Sequence, residues 1–508
     1  MKKRCYILIV ALIMLLCGCS NDGDKKFNTE NTKQTVSLQM GMIDSLNPLD
    51  AQKQSVRDAM YLCFEPLFEV QGDITVKGVL AESIKINDDC TTAIVKLKDS
   101  VLWHDGMIFT AGDVIHTINA IKENPASPYS FCVKYIDEVS TIDALTLKIK
   151  LLRPYSQIAH SLYFPIIPAH ISNYTDNMVG TGAYVFENYT KSSSLELKRN
   201  DSWHGGDVRV PYIKITIVRD ADTAAAAFNT GVIDAITGDY FDLSNYVIKS
   251  NMRSVRYSSP KYEFLAFNHK STLFDSSSMR SAVSLALDRK QIVEEAYGLN
   301  AVATNVPIHP NAESASLLTY SEYNLNSAVE MFYYEGYSIE KETNVMKNEK
   351  GEKLKFTILV NEENESRVKC AEIIKNQLLK AGIEVIVNAQ PYEFYIDSIK
   401  NGNFEAYLGG VKSPNIYDYE YLFSTEGEMN NYGYSSRYME LALAAISSSP
   451  DSATLENATE NFDEVFTREQ PVCGIAYLSD VLITSDSVKG KLLPQLNSPY
   501  ANCKGWSK

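Results

Sequence analysis

Three short runs in this chain carry residue types that do chemistry elsewhere. His104-Asp105-Gly106 sets an imidazole beside a carboxylate, the parts of a base–acid pair. Gly180-Thr181-Gly182-Ala183-Tyr184 begins like a glycine loop that cradles a phosphate. Leu16-Cys17-Gly18-Cys19 ends an apolar run on a thiol. The first two fail on physical grounds. Adjacent residues rarely aim at the same atom, and Asp-Gly is a turn former. The glycine run lacks its third Gly and no strand clearly feeds it, so it reads as a tight turn. HExxH, GxSxG and GxxxxGK[ST] are absent. The His residues at 104, 116, 160, 170, 204, 269 and 309 show no i,i+3 or i,i+4 pairing, so no metal site built from one local motif is expected. Nothing here asks for an enzyme or a cofactor.

The third run has a different context. Lys2, Lys3 and Arg4 precede an unbroken apolar stretch from Tyr6 to Leu16. A helix that spans a bilayer takes about 20 residues, so this stretch suits a secretory signal instead. Leu16-Cys17-Gly18-Cys19 resembles the lipobox of bacterial lipoproteins, where cleavage precedes the Cys and the Cys is acylated. The resemblance implies a signal peptide over 1–18, lipidation of Cys19, and an outward-facing protein held to the membrane by that lipid. Residues 19–34 are polar and read as a flexible tether. Cleavage removes three cations and leaves the remainder more acidic. Export permits disulfides. The cysteines at 63, 90, 132, 370, 473 and 503 form no CxxC pair, and mostly buried or free thiols are expected.

The elements that must position any site follow from length and pattern. At 508 residues the chain has room for about three domains. Its 48 Lys+Arg against 63 Asp+Glu give a net charge of −15, which argues against a nucleic-acid partner. Tyr is abundant, 31 against 19 Phe, and tiles strands as well as wet recognition surfaces. Thr35–Met42 reads as a strand and Val56–Phe68 as a helix. Ser83–Asn87 and Thr91–Leu97 form a hairpin split by Asn87-Asp88-Asp89. Ala111–Lys122 is helical behind Thr110, and Ser277–Tyr297 is a helix ended by Gly298. Two β-α-β successions stand out, one over 213–236 and one over 354–387. They argue an α/β body with at least two wound sheets and a ligand crevice between them.

Several segments, in order, resemble the extracellular solute-binding proteins of ABC importers in the oligopeptide/dipeptide/nickel class, family 5. They include Asp44-Ser45-Leu46-Asn47-Pro48-Leu49, Phe64-Glu65-Pro66-Leu67-Phe68, and Trp103-His104-Asp105-Gly106 followed by Phe109-Thr110-Ala111-Gly112-Asp113-Val114. Pro165–His170, Val179–Tyr184, Phe267-Asn268, Met279–Ala282, Ala286–Arg289 and Ser498-Pro499-Tyr500 continue the series. The resemblance implies a periplasmic-binding-protein-like class II fold: two wound α/β lobes, an inserted subdomain and an interlobe cleft. Lobe I would be 35–50, 176–262 and 478–508, the insertion 51–175, and lobe II 263–477. Hinge residues would include Tyr262, Phe267, Asn268 and Tyr477. The partners implied are a peptide or peptide-like solute, the importer's permease subunits and ATPase, and the membrane through Cys19, with the receptor itself a monomer.

One segment departs from the family. Its peptide-binding members place an Asp that pairs with the ligand's α-amino group before an aromatic-Leu pair. Here Pro414 stands at that place, between Lys412 and Tyr417-Asp418, and Tyr421-Leu422 follows. The expected ligand contacts are therefore Tyr417, Asp418, Tyr434 and Asn431, with Asn47 at the edge of the facing lobe. Lys412 or Arg437 would meet an anionic group, or are simply solvated loop charges. A peptide-sensing receptor without transport and a metal-chelate binder are the alternatives; a secreted hydrolase is disfavoured by the absent motifs.

Overall fold

The computed structural model describes residues 34–508 except 173, 175–177, 240–250, 299, 318–321 and 414. The expected signal peptide, Cys19 and nearly all of the tether therefore lie outside the described residues, as does Pro414.

The chain opens on β1 (Thr35–Met40), whose Val36, Leu38 and Met40 point into the core while the intervening residues face outward. It then enters a segment that shares one hydrophobic core with β1. This holds the β2 (Phe68–Val70) and β3 (Val76–Gly78) hairpin and a four-stranded antiparallel sheet. That sheet contains β4 (Ala81–Ile86), β5 (Thr92–Leu97), β6 (Ile136–Asp143) and β7 (Thr146–Leu151) in the order β4-β5-β7-β6. The Ala111–Glu123 helix packs there, with Thr110 and Asp113 forming a capping box. The chain returns through β8 (Tyr184–Thr190), β9 (Ser194–Arg199), β10 (Tyr212–Ile217) and β11 (Ala235–Asp239). β1 pairs in parallel with β10 and with β11, with Leu38 opposite both Ile215 and Ala235.

The two β-α-β units do not make two sheets. β12 (Met252–Phe267) runs 16 residues out of this half and joins a second half. That half contains β13 (Ala301–Ala303), the β14 (Tyr337–Glu340) and β15 (Val345–Asn348) ribbon, β16 (Lys355–Asn361), β17 (Glu384–Gln390) and β18 (Ala406–Lys412). β19 (Val472–Ser485) runs back. The result is one continuous sheet, ordered β17-β16-β18-β12-β19-β11-β1-β10-β9-β8, with β13 on β19. Sequence periodicity sees each half and misses their continuity, because β12 and β19 are long enough to serve both. Their pairing is regular from Met252↔Ser485 to Ser258↔Ser479, then breaks, and resumes at Tyr262↔Tyr477. A second shift follows between Glu263↔Ala476 and Phe264↔Gly474, and irregularities of this kind bend and twist a strand.

The second half is cross-braced at the same place. Arg367 donates to Glu263 of β12 through Nε (2.7 Å) and Nη2 (2.8 Å), with both side chains largely buried. Gly410 of β18 passes so close that a Cβ there would stand 2.1 Å from Glu263 Oε1. The expected single helix over 277–297 is instead two, Ser277–Leu285 and Arg289–Tyr297. Asp288 caps the second by accepting from Gln291 N–H (3.1 Å), and the buried Arg289 guanidinium turns back to Gly474 O (2.7 Å) and Ser284 Oγ (2.7 Å). A capping side chain and a buried cation together outweigh one more turn of helix.

Candidate ligand-binding cleft

A cavity of about 360 Å³ lies where β12 and β19 cross between the two halves. Its floor carries Tyr257, Lys261 and Asp480, and its first-half wall is the short Gln54–Met60 helix. From the other half comes Lys412, the last residue of β18. Its ammonium crosses the gap and donates to Gln54 Oε1. Gln54 is a relay: Oε1 also accepts from Arg57 Nη2 (2.8 Å), and Nε2 donates to Asp58 Oδ1 (2.7 Å). Lys261 Nζ lies 2.9 Å from Asp480 Oδ1.

The electrostatics of this space run against those of the chain. Three cations, Arg57, Lys261 and Lys412, face two carboxylates, Asp58 and Asp480. Burial raises Asp58 to about 7, so near neutrality it carries only part of its charge. Desolvation by the cleft walls lowers Lys412 to about 8, even though water reaches part of its side chain. An excess of positive charge in a molecule of net charge −15 is a local arrangement that favours an anionic group.

Beside the cleft, Lys134, Arg153, Tyr155 and Ser161 fasten the first half to the second. Asp418 is buried, its side chain 1% exposed, and its Oδ2 sits 3.4 Å from Lys134 Nζ. Burial raises the Asp418 carboxyl above the usual carboxylate range. Lys134 also lies over the Phe131 ring at 3.5 Å. Arg153 pairs with Glu420 at 2.5 Å. Asn415 donates through Nδ2 to Tyr155 OH (2.7 Å) and Ser161 Oγ (3.0 Å). The protein itself thus supplies the cation that faces Asp418.

The remaining anticipated residues are dispersed. Tyr417 is half-buried with its ring against His160, 5.0 Å between centroids. Tyr434 is buried in the second half, donating to Glu469 Oε2 at 2.6 Å. Asn431 is half-buried beside Tyr432, and Arg437 is exposed at the start of the Arg437–Ser447 helix. None of these lines the 360 Å³ cavity; Lys412 does. Asn47 closes a turn, accepting from Leu49 N–H (3.1 Å) and donating to Asp50 Oδ2 (2.7 Å). Tyr262 and Tyr477 flank the break in the β12–β19 ladder. Phe267 and Asn268 lie at the far end of β12, where Asn268 Nδ2 donates to Phe404 O (2.9 Å). The sequence reading missed Gln54, Arg57, Asp58, Lys261 and Asp480. The one signal was Arg57-Asp58 interrupting an otherwise largely apolar stretch, Val56 to Phe64.

The two rejected motifs hold each other. His104 Nε2 donates to Gly182 O (3.0 Å), and Gly180 N–H donates to His104 Nδ1 (3.2 Å). Asp105 turns away to His170 (2.7 Å). A Cβ on Gly180 would stand 1.9 Å from Cys63 O, so its glycine serves close backbone approach. Among the described residues the cysteines at 63, 90, 132, 370, 473 and 503 are free and buried, no cluster of His, Cys, Asp or Glu is placed to hold a metal ion, and no helix is long and apolar enough to cross a membrane.

Known proteins share this architecture. The chain is 24% identical over 530 residues to the oligopeptide-binding protein AppA of Bacillus subtilis, covering 96% of each. It is 27% identical over 281 residues to the glutathione-binding protein GsiB of Pectobacterium atrosepticum, about half of each chain. Among solved structures, the ABC transporter substrate-binding protein CtaP of Listeria monocytogenes superposes with a TM-score of 0.80 at 21% identity, covering 93% of this chain and 99% of that one. NikZ of Campylobacter jejuni, solved with Ni(L-His), gives 0.72 at 24% identity over 94% and 100%. Residues 75–432 match the model of bacterial extracellular solute-binding proteins, family 5 (middle region), and the chain belongs to that family.

Proposed function

We propose that this protein is a lipid-anchored, outward-facing receptor that captures a peptide or peptide-like solute in its interlobe cleft and presents it to an ABC importer. The observation that carries the reading is the cleft's excess of cations, with Lys412 reaching across from β18 to the Gln54–Met60 helix. A carboxylate of the solute would take its place beside Lys412 and Arg57, where a charge-assisted hydrogen bond is stronger than in water. A volume of about 360 Å³ is near the lower end of small-molecule sites, so the solute is short. The lobes would hinge at the break between Ser258/Ser479 and Tyr262/Tyr477, and ligand would select the closed arrangement. Cys19 would carry the lipid, and residues 19–34 would hold the body off the membrane.

The test is thermal denaturation of the tether-free protein with pools of short peptides. A ligand that binds only the native state at 100 times its Kd adds about 2.7 kcal/mol, which is a rise of several degrees. No rise with any pool would count against a peptide solute.

A further inference from the structure

Two cations of the cleft end on one neutral oxygen. Lys412 Nζ comes from β18 in the second half, and Arg57 Nη2 (2.8 Å) from the first half. Both donate to Gln54 Oε1. The other terminal nitrogen of Arg57 goes to backbone, with Nη1 donating to Ala51 O (2.9 Å) and Gln52 O (2.5 Å). Among the described residues neither Lys412 nor Arg57 forms an ion pair with a carboxylate; every acceptor they reach is an uncharged oxygen. The third cation differs, since Lys261 has Asp480 at 2.9 Å. Two charges that converge from opposite sides of a cavity make an anion position, because a charged acceptor there would make stronger hydrogen bonds than a neutral one. The protein fills that position with one of its own amides.

Gln54 suits the place chemically. An amide oxygen, like a carboxylate oxygen, is planar and accepts two hydrogen bonds. Here one goes to each cation. The amide nitrogen turns the other way and donates to Asp58 Oδ1 (2.7 Å). Cations on one side and a carboxylate on the other fix which way round the amide sits. Gln54 is half-buried and lines the 360 Å³ cavity beside Arg57, Asp58 and Lys412. A change of its side-chain rotamer alone clears the space between Lys412 and Arg57 and leaves the backbone in place.

We propose that Gln54 is an internal stand-in for the solute's carboxylate, holding the anion position between Lys412 and Arg57 until the solute displaces it. The inference rests on the reading of this cleft as the solute site. It makes Gln54 a specificity-determining residue. A neutral group on a solute offers the two cations no more than Gln54 already does, so it gains nothing by displacing it. A carboxylate exchanges two neutral-acceptor hydrogen bonds for two fully charged ones and wins the position. The stand-in also gives Lys412 an acceptor across the gap before solute arrives, which keeps the two halves bridged. The consequence is a lower affinity: binding is weakened by the fraction of molecules in which Gln54 holds the position.

The test pairs two readouts on the intact chain, wild type, Gln54→Ala and Gln54→Glu. The first needs no solute. It is the rate at which N-hydroxysuccinimidyl acetate acylates Lys412, followed by peptide mass spectrometry. Gln54→Ala removes the acceptor and should speed acylation at least about threefold, and Gln54→Glu holds the ammonium with a full charge and should slow it by about as much. The second is calorimetric titration with the tripeptide Ala-Ala-Ala and with its C-terminal amide. Gln54→Ala should bind the free carboxylate about three- to tenfold more tightly than wild type. Gln54→Glu should bind it at least about tenfold more weakly, because the position then holds a carboxylate of its own, and should bind the amide with a smaller change. Equal Lys412 reactivity in the three proteins, or affinity for the free carboxylate that Gln54→Glu leaves intact, overturns the proposal. If neither peptide binds wild type or either variant, the peptide reading of the cleft fails, and Lys412 reactivity alone decides whether Gln54 is the stand-in.

Discussion

Lys134→Met removes the cation that faces Asp418 and is the sharpest probe of how the two halves are held together. The Asp418 side chain is 1% exposed and Lys134 Nζ is 3.4 Å from it. Removing one partner of a buried ion pair costs about 3–5 kcal/mol. Three observations reduce that figure here. The separation exceeds the roughly 2.7–2.9 Å of a strong charged hydrogen bond; Lys134 is 22% exposed; and Arg153 still acts favourably on Asp418. A loss of about 1.5–2.5 kcal/mol remains, or roughly 10- to 60-fold in the closed-to-open ratio. The contact joins bodies on opposite sides of the cleft, so the loss falls on closure and spares the folding of each body. Small-angle scattering of the ligand-free protein should show a larger radius of gyration for Lys134→Met than for wild type. Lys134→Met/Asp418→Asn should return toward the wild-type value, because the unpaired charge is gone. Acid should act in the same direction. Burial already raises the Asp418 carboxyl above the usual range, so protonation favours the contact, and the defect should shrink as pH falls. Equal compactness of wild type and Lys134→Met, or failure of Asp418→Asn to restore it, would mean that this pair does not hold the two halves together.

Other consequences follow from the same geometry. Burial raises Asp58 from the ordinary 3.8 to about 7, so the native state holds the extra proton and stability falls as pH rises through that window. Asp58→Asn should flatten the slope, on the order of 2–4 kcal/mol between pH 4 and pH 7, read by chemical denaturation. Gly180→Ala would force backbone apart at Cys63 and should cost about 3 kcal/mol or more, seen as a lower melting temperature. Gly410→Ala would push on the Glu263–Arg367 pair and should destabilise the second half by about 2–4 kcal/mol, seen as faster hydrogen exchange in β12 and β18.

The parts of the fold legible in the sequence are those set by local signals. Thr110 and Asp113 announce the Ala111–Glu123 helix, and Gly231 the end of the Ala221–Thr230 helix, where it takes φ +78°. Strands with a clean inward face, such as β1 and β7, show their period. What escaped depends on contacts far apart in sequence. The run 277–297 has helical periodicity throughout, and only the distant Gly474 carbonyl explains why Arg289 breaks it. The unity of the sheet rests on pairing of β12 with β19, more than 200 residues later. The site divides in the same way. Lys412 was singled out because it stands in the segment that departs from the family pattern, and it lines the cavity. Asp58 and Gln54 were not, because their meaning comes from β18 approaching across the cleft. Tyr434 drew notice as an aromatic near that segment, yet Glu469 holds it inside the second half.

If the cleft receives an anionic end of a short peptide-like solute, Lys412 is where that end binds. The most direct test is calorimetric titration with a matched pair of peptides, free carboxylate against C-terminal amide, on wild type and Lys412→Met. Wild type should prefer the free carboxylate by about tenfold or more, and Lys412→Met should lose most of that preference. Equal affinity for the two peptides in wild type, or a preference that survives Lys412→Met, would contradict it.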